Sequence, residues 1–214
     1  MEHDASQFEV SFRRFATELG IPVDSSCLPF FSSYLSELKK WNKAINLTAI
    51  HDDQEVLVKH FIDSVAGVKV IENMDKCELL DIGAGAGFPG LPLKFVLPQI
   101  ELELLEPSEK KGAFLRYVAG SLGLRHVTVV PSKLEQYVRR PTRRLFDYIV
   151  VRAFKVDESG QMVADLLKPA GKVILYRAER VPRGFRLGGL ALVQEVEYEL
   201  PSGYGHRVLS VFSK

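Results

Sequence analysis

The sequence has few cysteines, no long apolar run and almost no net charge, and each shortage restricts what the protein can be. Its 214 residues include two cysteines, Cys27 and Cys77, which are far apart and have no metal-like spacing. We therefore expect no metal site, reduced thiols and a cytoplasmic location. No run reaches about eighteen apolar residues, so no membrane-spanning helix is expected. The acidic start, Met1 to Asp4, does not resemble a secretory signal.

The formal net charge is only +1, which by itself does not indicate a nucleic-acid-binding protein. The basic residues are unevenly distributed, however, and a phosphate backbone responds to a local patch rather than to the total charge. One arginine cluster contains Arg139, Arg140, Arg143 and Arg144, and a second contains Arg177, Arg180, Arg183 and Arg186. These clusters are candidates for phosphate contacts, and a solvated surface is the alternative interpretation.

The hydrophobic pattern changes near residue 70. Apolar residues recur at helical spacing before that point, and Asp52 and Glu55 have the spacing of a helix-capping box. Later residues alternate between short apolar strands and amphipathic helices, which indicates parallel crossovers. The expected strands are 78–82, 101–105, 126–130, 146–151, 172–176, 192–200 and 208–212, and the expected helices between them are 88–97, 108–122 and 157–167.

The last two strands are separated by a short Pro- and Gly-containing turn, which predicts an antiparallel pair. The sequence therefore predicts an α/β fold of the Rossmann-like type. Its mostly parallel, seven-stranded sheet should end in an antiparallel C-terminal hairpin. We expect an N-terminal helical extension over residues 1–70 and a cofactor-binding domain over residues 71–214, packed as one compact unit.

A glycine-rich loop follows the first predicted strand. Gly83, Gly85 and Gly87 come directly after Asp81 and precede a predicted helix, a context in which glycines allow a ligand to approach the backbone closely. The segment from Gly85 to Gly90 also matches the G-x-G-x-x-G fingerprint of dinucleotide-binding proteins. The loop alone therefore predicts a nucleoside-containing ligand without identifying it.

Asp81 favours S-adenosylmethionine over a dinucleotide. A carboxylate at this strand end would repel a pyrophosphate, whereas it suits the ammonium and sulfonium charges of S-adenosylmethionine. Glu106 ends the second strand and is expected to accept the ribose hydroxyls, a role common to both ligand classes. The C-terminal hairpin also fits the sheet of a class I methyltransferase better than the all-parallel sheet of a dehydrogenase, so we predict a Rossmann-like class I methyltransferase fold. An NAD(P)-dependent oxidoreductase remains the alternative at this point.

Several segments together resemble the bacterial 16S ribosomal RNA guanine-N7 methyltransferases, formerly called glucose-inhibited division protein B. The resemblance covers roughly residues 30 to 214, and the Asn-Leu-Thr and Gly-Phe-Pro-Gly segments make it specific. The matching residues are Trp41–Asn42, Ile45–Ile50, His60, Asp63–Ser64, Leu80–Gly90, Lys110–Lys111, Phe114–Arg116, Ser132, Glu135, Arg152–Phe154 and His206–Arg207. The chain departs from the family at Tyr176–Ala178, where a lysine and a glycine are usual, and at Glu106, where aspartate is usual.

The resemblance implies methyl transfer from S-adenosylmethionine to N7 of one guanine, at position 527 of 16S ribosomal RNA, within the small ribosomal subunit. A monomer is expected. The resemblance implies cofactor contacts from Gly83, Phe88, Leu134, Glu135 and Arg152, in addition to the loop residues above. Core packing is the alternative interpretation for Leu134, and a surface ion pair is the alternative for Arg152.

Guanine N7 carries a lone pair and no proton, so its methylation requires positioning and no general base. We therefore predict no catalytic acid–base pair. The candidate substrate-binding residues are Asn46, Thr48, His60, Arg139, Arg140 and Arg207. A turn-stabilising role is the alternative for Asn46 and Thr48, and a structural hydrogen bond or helix cap is the alternative for His60. A small-molecule methyltransferase and a non-catalytic RNA-binding protein are the other functions compatible with these residues.

Overall fold

The computed structural model describes residues 2–72, 76–153 and 159–214, with side chains from Gln7 onward. Phe154 of the family motif and the start of the helix expected at Asp157 lie outside these residues. Among the helices described, none is long and apolar enough to cross a membrane.

The N-terminal part is helical, as predicted. Helix α1 spans Glu2–Glu18, α2 spans Leu28–Ile45, and a third helical segment, α3, covers residues 53–70. Buried aromatic rings join the three helices: the ring centroids of Phe12 and Phe31 are 4.2 Å apart, and those of Phe31 and Phe61 are 5.4 Å apart. These contacts set the position of α3, which carries several of the site residues.

Helix α3 is irregular along its length. It begins as α-helix at Asp53–Val56, continues as π-helix at Leu57–Ile62, returns to α-helix at Asp63–Val65 and ends as 3-10 helix at Ala66–Val70. The Asp52 side chain caps its start by accepting a hydrogen bond from the backbone N–H of Glu55, which confirms the cap predicted at Asp52. Short π-helical stretches are rare and frequently mark functional sites.

The described residues form one eight-stranded sheet in the order β3-β2-β1-β4-β5-β8-β7-β6. Strands β1 to β5 are parallel, and β8, β7 and β6 extend the sheet in antiparallel fashion. The strands are β1 Glu78–Ile82, β2 Glu101–Leu105, β3 Val127–Val130, β4 Phe146–Arg152, β5 Leu167–Arg177, β6 Arg186–Leu187, β7 Leu190–Leu200 and β8 Gly205–Ser213. The remaining α-helices are α4 Gly90–Val96, α5 Glu109–Ser121, α6 Leu134–Tyr137 and α7 Gly160–Ala164.

This topology confirms the predicted class I arrangement, and the strand order reverses between β1 and β4. Ligands of open α/β sheets bind at such a switch point, beyond the carboxyl ends of the strands. The side chains of β1 alternate between two apolar layers. Leu79 packs in the core shared with the N-terminal helices, and Leu80 packs in the core on the opposite face.

The structure corrects the sequence prediction in two places. The sheet has eight strands instead of seven, because Arg186–Leu187 forms a two-residue strand whose Leu187 is buried. A pairing this short leaves no periodicity to detect. The helix expected over residues 157–167 also ends earlier, at Ala164 in its described part, because buried Leu167 already pairs with Phe146 of β4.

Candidate cofactor and substrate site

The glycine-rich loop leaves the carboxyl end of β1 in a conformation that L-residues with side chains rarely adopt. The φ angles of Gly83, Gly85 and Gly87 are +72°, +59° and +100°. A Cβ atom on Gly87 would lie 2.6 Å from Leu91 Cδ1 and 2.9 Å from the Tyr34 hydroxyl. The Tyr34 hydroxyl also donates a hydrogen bond to the carbonyl of Ala86. The loop is therefore held closely against α2, a contact that the sequence did not reveal.

Asp81 lies at the base of this loop with its side chain fully buried. Its Oδ2 accepts a hydrogen bond of 2.8 Å from the backbone N–H of Gly90. Its Oδ1 is buried and has no partner among the described residues. Burial raises the pKa of Asp81 to about 7. A buried carboxylate oxygen without a partner is costly, so this position suits a ligand that brings a positive charge or a donor.

Glu106 follows β2 and supports the loop from the other side. Its Oε2 accepts from the backbone N–H of Gly85 and its Oε1 accepts from that of Ser108, both at 2.8 Å. Each carboxylate oxygen can accept a further hydrogen bond. The carboxylate thus orders the loop and keeps acceptor capacity for the ribose hydroxyls that the sequence analysis assigned to it.

Arg152 ends β4, next to β1 at the switch point, and contacts three parts of the site. Its Nη1 donates to the carbonyl of Lys59 and to Oδ2 of Asp63, both at 3.2 Å. Its Nη2 lies 3.2 Å from Nδ1 of His60, and its guanidinium carbon lies 5.2 Å from the ring centroid of Phe88. The guanidinium therefore joins α3 to the glycine-rich loop.

His60 is stacked on Phe88, with ring centroids 4.5 Å apart and ring planes 14° from parallel. Burial, and then the charge of Arg152, lowers the pKa of His60 to about 3, so the imidazole is neutral at physiological pH. Because Arg152 can only donate, Nδ1 accepts and the ring proton is on Nε2. Nε2 lies 2.8 Å from Oγ1 of Thr48, which therefore accepts this hydrogen bond.

Asp63 connects this group to the C-terminal hairpin. Its Oδ1 accepts a hydrogen bond of 2.8 Å from the hydroxyl of Tyr198 on β7, and Nε of Arg207 on β8 lies 3.7 Å away. The structure therefore brings the predicted residue Arg207 to the same carboxylate as Arg152. Tyr198 is 135 residues from Asp63 along the chain, and sequence reasoning did not identify it.

Asn42 holds Thr48 in place. The Asn42 side-chain amide donates to the carbonyl of Thr48 and accepts from its backbone N–H, both at 2.9 Å. Asn46 is exposed and has a φ of +49° at the end of α2. This left-handed position fits the turn-stabilising interpretation of Asn46, whereas Thr48 joins the site through His60.

Other predicted residues have no described contact with the Arg152 group. Leu134 is buried in the second core, which fits its alternative interpretation, and Glu135 is exposed on α6. Arg139 is exposed, and the guanidinium of Arg140 lies over the ring of Tyr137. Cofactor contacts by Leu134 and Glu135 and substrate contacts by Arg139 and Arg140 stay predictions.

The two arginine clusters are partly neutralised by acidic residues. Arg144 bonds to Glu78 and Glu101 at the amino ends of β1 and β2, opposite the glycine-rich loop. Arg180 bonds to Glu197 of β7. These two arginines are engaged within the protein, so neither cluster is a continuous patch of free positive charge.

Comparisons with known proteins identify what the chain is similar to. The model of the family described as rRNA small subunit methyltransferase G matches residues 28–186. A ribosomal RNA small subunit methyltransferase G from Geobacter sulfurreducens is 38% identical over 202 residues, covering 91% of this chain and 92% of the relative. One from Geotalea uraniireducens is 39% identical over 207 residues, covering 93% of each chain.

Solved structures show the same fold at low identity. TrmN from Thermus thermophilus has a TM-score of 0.54 and 19% identity, over 74% of this chain and 53% of its own. A coclaurine N-methyltransferase bound to N-methylheliamine and SAH has a TM-score of 0.55 and 11% identity, over 91% of this chain and 68% of its own. These likenesses agree with the predicted methyltransferase fold.

Proposed function

We propose that this chain, which belongs to the rRNA small subunit methyltransferase G family, methylates N7 of one guanine in 16S ribosomal RNA. Membership in the family confirms the prediction of an S-adenosylmethionine-dependent rRNA methyltransferase. It excludes the NAD(P)-dependent oxidoreductase that the glycine motif alone left open. The identity of the base atom, the small subunit as the working substrate, a monomeric state and a cytoplasmic location are part of the proposal.

Oδ1 of Asp81, which has no partner in the described part of the chain, is the observation that supports the cofactor site. It lies below a loop whose glycines let a ligand approach the backbone, and Glu106 orders the same loop. Asp81 would pair with the positive charge of the donor, and Glu106 would accept from its ribose. Phe88 and Arg152 close the site on the side of α3. The residues present therefore fit S-adenosylmethionine.

The bound cofactor supplies an electrophilic methyl group carried on a positively charged sulfur. The protein then has to hold the guanine so that N7 faces that methyl group at a short distance. His60 is unsuited to act as a base, because Arg152 occupies the lone pair of its Nδ1 and its Nε2 carries the ring proton. This arrangement supports a reaction that depends on orientation and not on proton removal.

Methyl transfer to small ribosomal subunits tests the proposal. Subunits that lack the modification, incubated with the protein and labelled S-adenosylmethionine, should acquire label at N7 of a single guanine in 16S RNA. Asp81→Asn should reduce labelling at limiting cofactor, and Asp147→Asn, at the opposite end of the parallel strands, serves as the matched control. A protein that binds S-adenosylhomocysteine normally but labels no ribosomal RNA would contradict the proposed substrate.

A small-molecule methyltransferase is distinguished by competition. An excess of unlabelled, unmethylated 16S RNA should suppress labelling of the subunits, because both present the same guanine to one site. Transfer of label to a small molecule that the RNA does not suppress would favour that alternative.

A further inference from the structure

A broad groove lies between the three N-terminal helices, away from the glycine-rich loop. Its volume is about 840 Å³, and it is bounded by the side chains of α1, α2 and the start of α3. Its apolar floor includes Phe15 and Leu57, both buried, while Ser11 and Ser36 contribute hydroxyl groups to its walls. None of the residues assigned to the cofactor site lines this groove.

The groove is lined by more positive than negative charge. Arg14, Lys39, Lys40 and Lys43 contribute cations, and Asp53 is the one acidic residue among its described lining residues. The side chains of Lys39 and Lys40 are 51% and 65% exposed although each contacts an acid, and exposed ion pairs of this kind are weak. Lys43 is exposed and forms no ion pair among the described residues. Lys39 and Lys43 lie about one helical turn apart, roughly 6 Å along α2.

The groove leads toward the reaction site. A smaller cavity of about 170 Å³ shares Lys39 and Lys43 with it and is also lined by Asn42 and Thr48. Thr48 bonds to His60, whose ring is stacked on Phe88 of the glycine-rich loop. The smaller cavity therefore links the groove, through Thr48 and His60, to the residues that close the cofactor site.

We propose that this groove binds the sugar-phosphate backbone of the RNA strand next to the target guanine. This proposal rests on the proposed function. Exposed cations provide most of the affinity for a phosphate backbone, and hydroxyl groups add hydrogen bonds that position it. The N-terminal helices thus hold the RNA while the loop residues hold the cofactor. The charge of the groove favours RNA over an acidic protein because its three lysines lie along α2, and Lys39 and Lys43 also line the smaller cavity beside Thr48.

The triple variant K39Q/K40Q/K43Q tests this assignment. The probe is protein-free, unmethylated 16S RNA, and its binding is measured by filter retention over a series of salt concentrations. The dissociation constant should rise at least about tenfold. The slope of log affinity against log salt should fall in magnitude by about 2 to 3, since each lost phosphate contact removes about 0.7 to 0.9. Affinity for S-adenosylhomocysteine should stay within about twofold of the unmodified protein.

A double variant, Lys76→Gln with Arg125→Gln, is the control, because both residues are exposed and precede β1 and β3 at the opposite edge of the sheet. It should leave RNA binding and its salt slope unchanged. Arg14→Gln, on the opposite wall of the groove in α1, should weaken RNA binding without any change in α2. This single substitution keeps the proposal testable if the triple variant folds poorly, which loss of S-adenosylhomocysteine binding would reveal.

The proposal is overturned if the triple variant binds 16S RNA with the affinity and salt slope of the unmodified protein. It is also overturned if the triple variant loses affinity for small subunits but not for protein-free RNA, since the groove would then contact a ribosomal protein. RNA binding is measured without methyl transfer. Failure of the proposed reaction would therefore appear as intact, groove-dependent RNA binding with no labelled guanine.

Discussion

The two ends of the parallel strands both carry networks of charged side chains, and the networks differ in how fully their charged groups are paired. At the amino edge, Lys168 lies 2.6 Å from Glu78 and 2.8 Å from Asp147, and Arg144 lies 2.7 Å from Glu101. Every one of these side chains is partly exposed and paired. At the carboxyl edge the charged groups are more deeply buried, and Oδ1 of Asp81 has no partner among the described residues.

The pKa shifts express the same difference. Burial raises the pKa of Glu78 less than its bonds to Lys168 and Arg144 together lower it, so its pKa falls below the usual value. Burial instead dominates at Asp81 and raises its pKa to about 7. Paired, partly exposed charges stabilise a fold modestly, whereas a buried charge without a partner is tolerated where a ligand supplies one. The paired charges of the amino edge therefore form a structural network. The carboxyl edge is distinguished as a binding site by a buried carboxylate oxygen that has no partner among the described residues.

Removing one arginine at each edge should produce the largest contrast. Arg152→Ala leaves Asp63 buried without its principal cation and should lower the free energy of unfolding by about 3 to 4 kcal/mol. Arg144→Ala breaks pairs whose side chains are 25% to 47% exposed and should cost about 1 kcal/mol or less. Urea denaturation measures both values. Equal losses in unfolding free energy would show that the deeper burial of the Arg152 network does not make it more important for stability than the Arg144 network.

Two glycines with positive φ provide a second contrast. Gly87→Ala should cost about 3 kcal/mol, because the added methyl group meets Leu91 and Tyr34 in addition to the strained backbone. Gly123, in the turn after α5 at the amino edge, has a φ of +62° and open space around its Cα. Gly123→Ala should therefore cost only about 1 kcal/mol. Thermal unfolding of the two variants checks the difference, and a Gly87→Ala protein as stable as Gly123→Ala would argue against tight packing of the loop.

Sequence reasoning was successful where a function is encoded by neighbouring residues. The strand, loop and helix around Gly83–Gly87 form a local pattern, and the parallel order and the C-terminal hairpin follow from the alternation of elements. Arg152 and Arg207 entered through the family resemblance, and the structure places one of them near each carboxylate oxygen of Asp63.

Long-range packing explains what the sequence did not show. Tyr34 reaches the glycine-rich loop from α2, 52 residues from its acceptor Ala86, and Tyr198 reaches Asp63 from β7. Both are ordinary aromatic residues in an apolar pattern, so no local signal distinguishes them. The two-residue strand β6 was missed because two residues show no periodicity. The close packing of the residue after it is also long-range, since a Cβ on Gly160 would lie 2.3 Å from the Gly188 nitrogen.

Neutralising one carboxylate at each edge tests cofactor binding directly. Asp81→Asn keeps an oxygen for the Gly90 N–H but loses the charge, and the dissociation constant for S-adenosylmethionine should rise about 30-fold, or about 2 kcal/mol. Asp147→Asn should leave this constant unchanged, because the described partners of Asp147 are amino-edge groups, the backbone N–H of Glu78 and the side chain of Lys168. Calorimetric titration measures both. A similar loss in the two variants would mean that the effect comes from net charge and not from contact with the cofactor.

The pH dependence of cofactor affinity refines the same contrast. Asp81 has a pKa of about 7, so it is mainly ionised above that pH and mainly neutral below it. If its charge attracts the cofactor, affinity should fall as pH is lowered, by about tenfold between about pH 7.5 and about pH 5.5, because the neutral form keeps the weaker affinity expected of Asp81→Asn. His60, with a pKa of about 3, stays neutral across this range and cannot produce the effect. Titration of the cofactor's own amino group is the same for every variant, so the Asp81→Asn protein gives the baseline. If the two proteins lose affinity in parallel as the pH falls, the charge of Asp81 does not hold the cofactor.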